Sequence, residues 1–335
     1  MSSREVVLSV RDLCIEFKTD DGVVRAADGI TYDVYANETL GIVGESGSGK
    51  SVMSMAILGL LPRSAKITGS VKYRGTELLG LKEDELRTYR GNKIAMVFQD
   101  ALAALNPTHK VGDQIAEAIR VHHPEVSRQQ LHDRTIELLE VVGIPEPKRR
   151  VDQYPHEFSG GMRQRAMIAM SIVNEPDVLI ADEPTTALDV TIQAQVLEVF
   201  ERIQDRTNSS VMLITHDLGV VAGVSDRVMV MYAGRQVELG TVDDVFYRPS
   251  HPYTQGLLAS LPRVDGSKAG ERLHRIKGQP PSLIFLPPGC AFTPRCPHAR
   301  VGVCDSGRPE LHEVGAGHAS ACFLADEIAT SVGVG

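Results

Sequence analysis

Gly44-Glu45-Ser46-Gly47-Ser48-Gly49-Lys50-Ser51 is the stretch that decides how this chain is read. It follows an apolar run, Leu40-Gly41-Ile42-Val43, and leads into Val52-Met53-Ser54-Met55-Ala56-Ile57-Leu58. Strand, glycine loop and helix, in that order, is the context a phosphate-binding loop requires. The glycines let the backbone turn tightly, so that successive N–H groups point into one cavity. The N-terminus of the following helix adds partial positive charge at the same place. In such a loop Lys50 reaches the β- and γ-phosphates and the Ser51 hydroxyl ligates Mg²⁺. The competing reading is a glycine-rich turn that happens to end in Lys-Ser, and the accompanying motifs decide between the two.

Composition narrows the field. The 335 residues suffice for two domains, and the 42% hydrophobic and 23% charged fractions are those of an ordinary globular protein. A formal net charge of −8, with basic residues spread along the chain, argues against nucleic acid as the main partner. No apolar run approaches the length of a membrane span. Met1-Ser2-Ser3-Arg4-Glu5 leads straight into a strand pattern, so no signal peptide is expected and the cytosol is the default compartment. A membrane role would then require partner subunits.

Outward from the loop, Leu8 to Phe17 alternates as a strand, Asp20-Asp21-Gly22 signals a hairpin and Val23 to Ala27 returns, predicting an antiparallel β layer. Phe17 is placed either to stack on a purine or simply in the core. Ile94 to Phe98 reads as a short buried strand, followed by Gln99. Helical spacing over Val111–Val121 and Gln129–Val142, with Gly143 as a C-cap, makes residues 100 to 165 a helical insert. Phe158-Ser159-Gly160-Gly161-Met162-Arg163-Gln164-Arg165 opens another helix. Ser-Gly-Gly there is either a plain N-cap or a second anion-binding arrangement. Val178-Leu179-Ile180-Ala181-Asp182-Glu183 is an apolar strand ending in two carboxylates. Asp182 is placed to hold Mg²⁺ through water and Glu183 to polarise an attacking water. Ala187-Leu188-Asp189 starts a helix, and Val211 to Thr215 is a further strand ending in His216-Asp217.

Taken together, Gly44–Ser51, Gln99, Ser159–Gly161, Asp182-Glu183, Asp189 and His216 resemble the nucleotide-binding domain of an ABC-type ATPase over residues 5–245. The resemblance implies an α/β fold: a P-loop cassette with a mixed core sheet, an antiparallel β layer and a helical subdomain over about 100–165. It also implies adenine stacking by Phe17 and phosphate binding by Gly44 through Ser51. Mg²⁺ would be held by Ser51, Gln99 and Asp182, and catalysis would fall to Glu183, Gln99 and His216. Ser159, Gly160, Gly161 and Gln164 would face ATP on a partner domain, with Asp189 in the dimer loop. A GTPase reading fails on the missing guanine-reading motif, since Asn92-Lys93 runs into Ile94-Ala95. A soluble ABC ATPase of DNA repair or translation would carry long insertions or two motif sets, and this chain has neither.

The C-terminal third narrows the resemblance. His251-Pro252-Tyr253-Thr254, Gly278-Gln279-Pro280-Pro281, Pro288-Gly289-Cys290-Ala291-Phe292 and Pro294-Arg295-Cys296-Pro297 resemble the extension of the dipeptide/oligopeptide permease ATPases. That branch also includes nickel and oligosaccharide importers, so the solute stays open. It implies ATP-driven import with two transmembrane permease subunits, a second related ATPase, an extracytoplasmic solute-binding protein and a place on the cytoplasmic membrane face. The extension is expected to be small and irregular over 246–325, with a frayed tail over 326–335. Four of the five cysteines, Cys290, Cys296, Cys304 and Cys322, fall within it. In a cytosolic protein such a cluster favours metal over disulfides. The spacing lacks the close pairs of most zinc ribbons, so a structural [4Fe–4S] cluster is expected, with Zn²⁺ as the alternative.

Overall fold

The computed structural model describes residues 4–186, 188–261 and 275–332. Its strands are β1 (Val6–Thr19), β2 (Gly22–Tyr35), β3 (Thr39–Val43), β4 (Ala65–Tyr73), β5 (Thr76–Glu77), β6 (Ile94–Val97), β7 (Val178–Asp182), β8 (Ser210–Thr215), β9 (Arg227–Tyr232), β10 (Arg235–Thr241), β11 (His312–Gly315) and β12 (His318–Ser320). Its helices are α1 (Lys50–Ile57), α2 (Glu83–Arg87), α3 (Ala101–Ala104), α4 (Val111–Arg120), α5 (Arg128–Val141), α6 (Pro147–Arg150), α7 (Gly160–Ile172), α8 (Val190–Thr207), α9 (Leu218–Val224), α10 (Val242–Tyr247), α11 (Pro252–Ala259) and α12 (Ala325–Val332). The chain forms two units that interleave along the sequence, whereas the expected segments 5–245 and 246–325 are contiguous.

The first unit comprises residues 1–9, 33–39 and 72–214. At its centre β6, β7 and β8 run parallel, with Ile94 opposite Val178 and Val178 opposite Ser210. All three strands are buried along their whole length, which is why their sequences are nearly continuous apolar runs, polar only at the ends of β7 and β8, rather than alternating ones. Helices α3 to α7 fall between β6 and β7, as the sequence predicts for a helical insert. Ser127 caps α5 by accepting from Gln130 N, and the Gln130 side chain returns to Ser127 N. Gly143 ends that stretch at φ +72°, with its N–H on Glu140 O. Asn174 ties α7 back to the insert, donating to Gly91 O and Ala118 O.

The second unit comprises residues 10–32, 40–71 and 215–335. Here β3 lies parallel to β9, and β9 turns through the Ala233-Gly234 hairpin into antiparallel β10. β12 then pairs with β10, and β11 with β12. The Asp20-Asp21 turn joins β1 to β2 as predicted. One core runs through this unit, built from Val43, Val221, Val228, Val230, Tyr232, Val237, Tyr253 and Phe292. Leu257, Ile276, Leu283 and Leu286 of the extension pack against it.

Two expectations for the extension need correction. It is not simply irregular, because His312–Gly315 and His318–Ser320 add strands to a sheet and α11 packs on the same core. The tail is not frayed over 326–335 either. α12 runs to Val332, and Ile328 is buried with Cys304 and Leu324; only 333–335 lie outside the described residues. The strands and α11 rest on a core borrowed from β9 and β10, and the tail on a separate small cluster of Cys304, Cys322, Leu324 and Ile328 within the extension; local composition announces neither.

Candidate functional site

Each unit contributes a separate set of predicted residues. In the second, β3 ends at Val43 and the loop Gly44–Gly49 leads into α1. Gly44 has φ +156°, and a Cβ there would stand 2.2 Å from Met231 O. Gly49, at φ +99°, caps α1, and a Cβ would stand 2.0 Å from Ala26 O. Gly47 also needs a left-handed backbone, φ +79°, but faces open space. Ser46 and Gly47 are exposed, whereas Ser48 and Lys50 are buried. The Lys50 ammonium folds back over the loop, donating to Gly44 O at 2.7 Å, Glu45 O at 3.1 Å and Ser48 Oγ at 3.4 Å. Ser51 follows in the first turn of α1, half-buried. Phe17 sits half-buried on β1, and His216 is exposed directly after β8. Asp217, its neighbour, caps α9 by accepting from Gly219 N.

In the first unit, Asp182 is the buried last residue of β7. Glu183 follows in a left-handed conformation, φ +48°, with its N–H on Ile214 O at 2.8 Å. Such a backbone is costly for a non-glycine residue and aims the side chain away from the strand. Two donors meet one carboxylate oxygen: Gln99 Nε2 at 2.9 Å and Thr186 Oγ1 at 2.8 Å, both on Glu183 Oε2. Gln99 was expected beside Glu183. Thr186 was not, and its signal was the turn Pro184-Thr185-Thr186, which returns the chain over the strand end.

Ser159 caps α7 through Met162 N at 3.3 Å. Gly160 is exposed with open space about it, while Gly161 admits the Ile192 side chain, which a Cβ would meet at 2.7 Å. Gln164 is 5% exposed, and its Nε2 has no hydrogen-bond partner among the described residues. Asp189 caps α8 by accepting from Ile192 N at 3.0 Å; Ala187, expected in the same stretch, lies outside the described residues.

The four late cysteines line one small cavity together with Phe292, Leu324 and His251. Burial pushes the Cys290 thiol up, Cys296 to about 11 and Cys322 to about 12. Among the described residues no group of three or more His, Cys, Asp or Glu is arranged to hold a metal ion. The expectation of a [4Fe–4S] cluster or zinc therefore gains no support from ligand geometry. A tetrahedral zinc needs its sulfurs within about 4 Å of one another. The donor set is all sulfur and shares one cavity, which is the chemistry a cluster would require.

Comparison with known proteins places the fold in a class. Residues 27–186 match the ABC transporter family and residues 237–304 the C-terminal region of oligopeptide/dipeptide transporters. Among solved structures, the ATP-binding cassette MJ0796, a dimer bound to ADP and Pi, superposes with a TM-score of 0.64 at 25% identity, over 70% of this chain and 98% of that one. The dipeptide transport ATP-binding protein DppD of Bacillus subtilis is 53% identical over 96% of both chains. The oligopeptide transport ATP-binding protein OppD of Escherichia coli is 48% identical over 95% of this chain and 93% of its own. OppD of Mycobacterium tuberculosis is 52% identical over 95% of this chain, which spans about half of that relative. The class is the ATP-binding cassette. Within it, the chain belongs to the family of ATP-binding subunits of dipeptide/oligopeptide ABC transporters.

Proposed function

We propose that this chain is the ATP-hydrolysing subunit of a membrane importer for di- and oligopeptides, seated on the cytoplasmic face of the membrane. The observation that carries the reading is similarity along almost the whole chain, cassette and extension together, to proteins named for dipeptide and oligopeptide transport.

In this reading Phe17 stacks on adenine. Gly44, Glu45, Ser46, Gly47, Ser48 and Gly49 turn their N–H groups to the phosphates, and Lys50 exchanges its loop carbonyls for phosphate oxygens. Ser51, Gln99 and Asp182 are the residues that would hold Mg²⁺, which would supply charge to offset that building on the phosphoryl oxygens. Glu183 takes a proton from the attacking water as its oxygen bonds to the γ-phosphorus and the bond to the ADP oxygen breaks. His216 contacts the γ-phosphate. What supports the role of Glu183 is its carboxylate, oriented by Gln99 and Thr186 on a strained backbone. Ser159, Gly160, Gly161 and Gln164 face the nucleotide of a second, related ATPase subunit, and Asp189 lies in the contact between the two. Two permease subunits and an extracytoplasmic binding protein complete the importer, and nucleic acid has no part in it.

For the extension, Cys290, Cys296, Cys304 and Cys322 are proposed to hold a [4Fe–4S] cluster, or failing that Zn²⁺, in a structural role. Their common cavity supports this. Iron and zinc analysis after anaerobic purification decides it, and a metal-free, folded chain would end both versions.

The reading is tested by Glu183→Gln in the purified chain. Nucleotide binding should persist while phosphate release falls by about a hundredfold or more. Unchanged turnover would remove Glu183 from its role. Pull-down from gently solubilised membranes should recover two polytopic subunits and a second ATPase; recovery of ribosomes or repair proteins instead would refute the importer.

A further inference from the structure

The phosphate loop is gripped by a residue 250 positions away. Arg295 Nη1 and Nη2 donate to Glu45 Oε2 and Oε1 at 2.6 and 2.9 Å, a parallel fork. The Arg295 side chain is 5% exposed and spends its other donors on Tyr232 OH at 3.2 Å and Lys277 O at 3.1 Å. Its guanidinium carbon lies 5.7 Å from the Tyr232 ring centre and 5.9 Å from that of Phe292. The main-chain N–H of Glu45 meanwhile donates to Tyr253 OH at 2.9 Å. The second residue of the loop is thus fixed through both side chain and backbone by the C-terminal third of the chain.

Lys50, the loop's N–H groups and the start of α1 all attract phosphate, so an acid at position 45 needs explaining. An uncompensated carboxylate in the loop would repel a polyphosphate, more strongly where water is excluded. Arg295 cancels that charge and, through its planar fork, holds the carboxylate in one place, which a lysine could not do as well.

We infer that Arg295 is a positioning residue of the nucleotide site, clamping Glu45 so that ATP affinity depends on the folded C-terminal extension. The inference rests on reading Gly44–Ser51 as the nucleotide loop. Arg295 closes the single turn Thr293–Arg295, strung between Cys290 and Cys296, both of which line the cysteine cavity. The extension therefore reaches the loop at two places, through this turn and through Tyr253 of α11.

The test is equilibrium binding of Mg-ATP to the full chain, by displacement of a fluorescent analogue, with thermal unfolding alongside. R295M should weaken binding by about tenfold or more, raising KM while kcat at saturating ATP stays within about threefold. E45Q/R295M, lacking the charge that Arg295 offsets, should recover to within about threefold of wild type. A simple packing role for Arg295 would not be rescued in this way. Wild-type affinity in R295M, or equal weakness in R295M and E45Q/R295M, would overturn the inference. Should R295M fail to fold, R295Q removes the charge but keeps a polar side chain; affinity equal to wild type there would overturn it as well. A wild-type chain that binds no Mg-ATP would refute the nucleotide reading itself, a result distinct from either.

Discussion

Gln99 and Thr186, each just past the end of one of two adjacent strands, place their donors on the same oxygen of Glu183, 2.9 and 2.8 Å away. Gln99 leaves the end of β6 and Thr186 the turn after β7, so the carboxylate is oriented by two neighbouring strand ends.

Thr186→Val keeps the volume and removes one donor. A lost hydrogen bond of about 1 kcal/mol to the carboxylate corresponds to a fall in kcat of roughly fivefold, with KM nearly unchanged. Steady-state phosphate release measures both. A KM effect with intact kcat would mean that Thr186 acts on binding instead.

Gly49 and Gly47 separate two costs that a glycine loop combines. Gly47→Ala meets nothing within 4 Å and bears only the left-handed backbone, about 1 kcal/mol. Gly49→Ala adds a Cβ 2.0 Å from a backbone carbonyl that cannot swing aside. Denaturant unfolding should place Gly49→Ala at least about 2 kcal/mol below Gly47→Ala. Equal stabilities would show that the contact with Ala26 is soft.

His251 is fully buried at the start of α11, its Nδ1 accepting from Tyr253 N at 3.1 Å. Burial depresses its folded-state pKa from 6.5 to about 3. Below pH 6.5 the unfolded chain binds a proton that the folded chain refuses. Stability is therefore complete above pH 6.5 and falls as pH drops toward 3, by up to about 1.4 kcal/mol per unit. Asn caps in the same way but does not titrate, so His251→Asn should flatten the slope between pH 6 and 4 relative to wild type. Parallel curves would exclude His251 as the source.

Glu238 is buried completely in β10 and accepts from Ser250 N at 2.7 Å, His251 N at 3.1 Å and His318 Nε2 at 2.8 Å. It joins a strand of the cassette sheet to the entry of α11 and to β12. Glu238→Leu strands these three groups and should cost about 3–5 kcal/mol in chemical unfolding. A loss below 1 kcal/mol would mean that water reaches them.

The cassette was legible because its chemistry is local. A loop that needs positive φ selects glycine, and fully buried parallel strands select apolar runs, so Gly44–Ser51 and Val178–Asp182 announce themselves. The Ser159 and Asp189 caps were legible for the same reason. The Glu45–Arg295 fork was not, since nothing local distinguishes a buried arginine from a surface one. Nor was the left-handed backbone of Glu183, which departs from residue preference where the chain leaves β7. The strands β11 and β12 are four and three residues long, mostly polar, and exist only because β10 offers them a ladder.

That ladder has a consequence for solubility. β10 is seven residues long and largely buried, and a bare strand of that kind is an adhesive rim on which another chain can add itself. β12 covers it at Glu238 and Leu239, and β11 then stands outermost, only four residues long, with His312 and Glu313 turned to solvent. The late hairpin works as a stopper, exchanging a long sticky border for a short charged one. A chain ended before His312 should stack on itself through β10, and would do so even with its nucleotide loop intact.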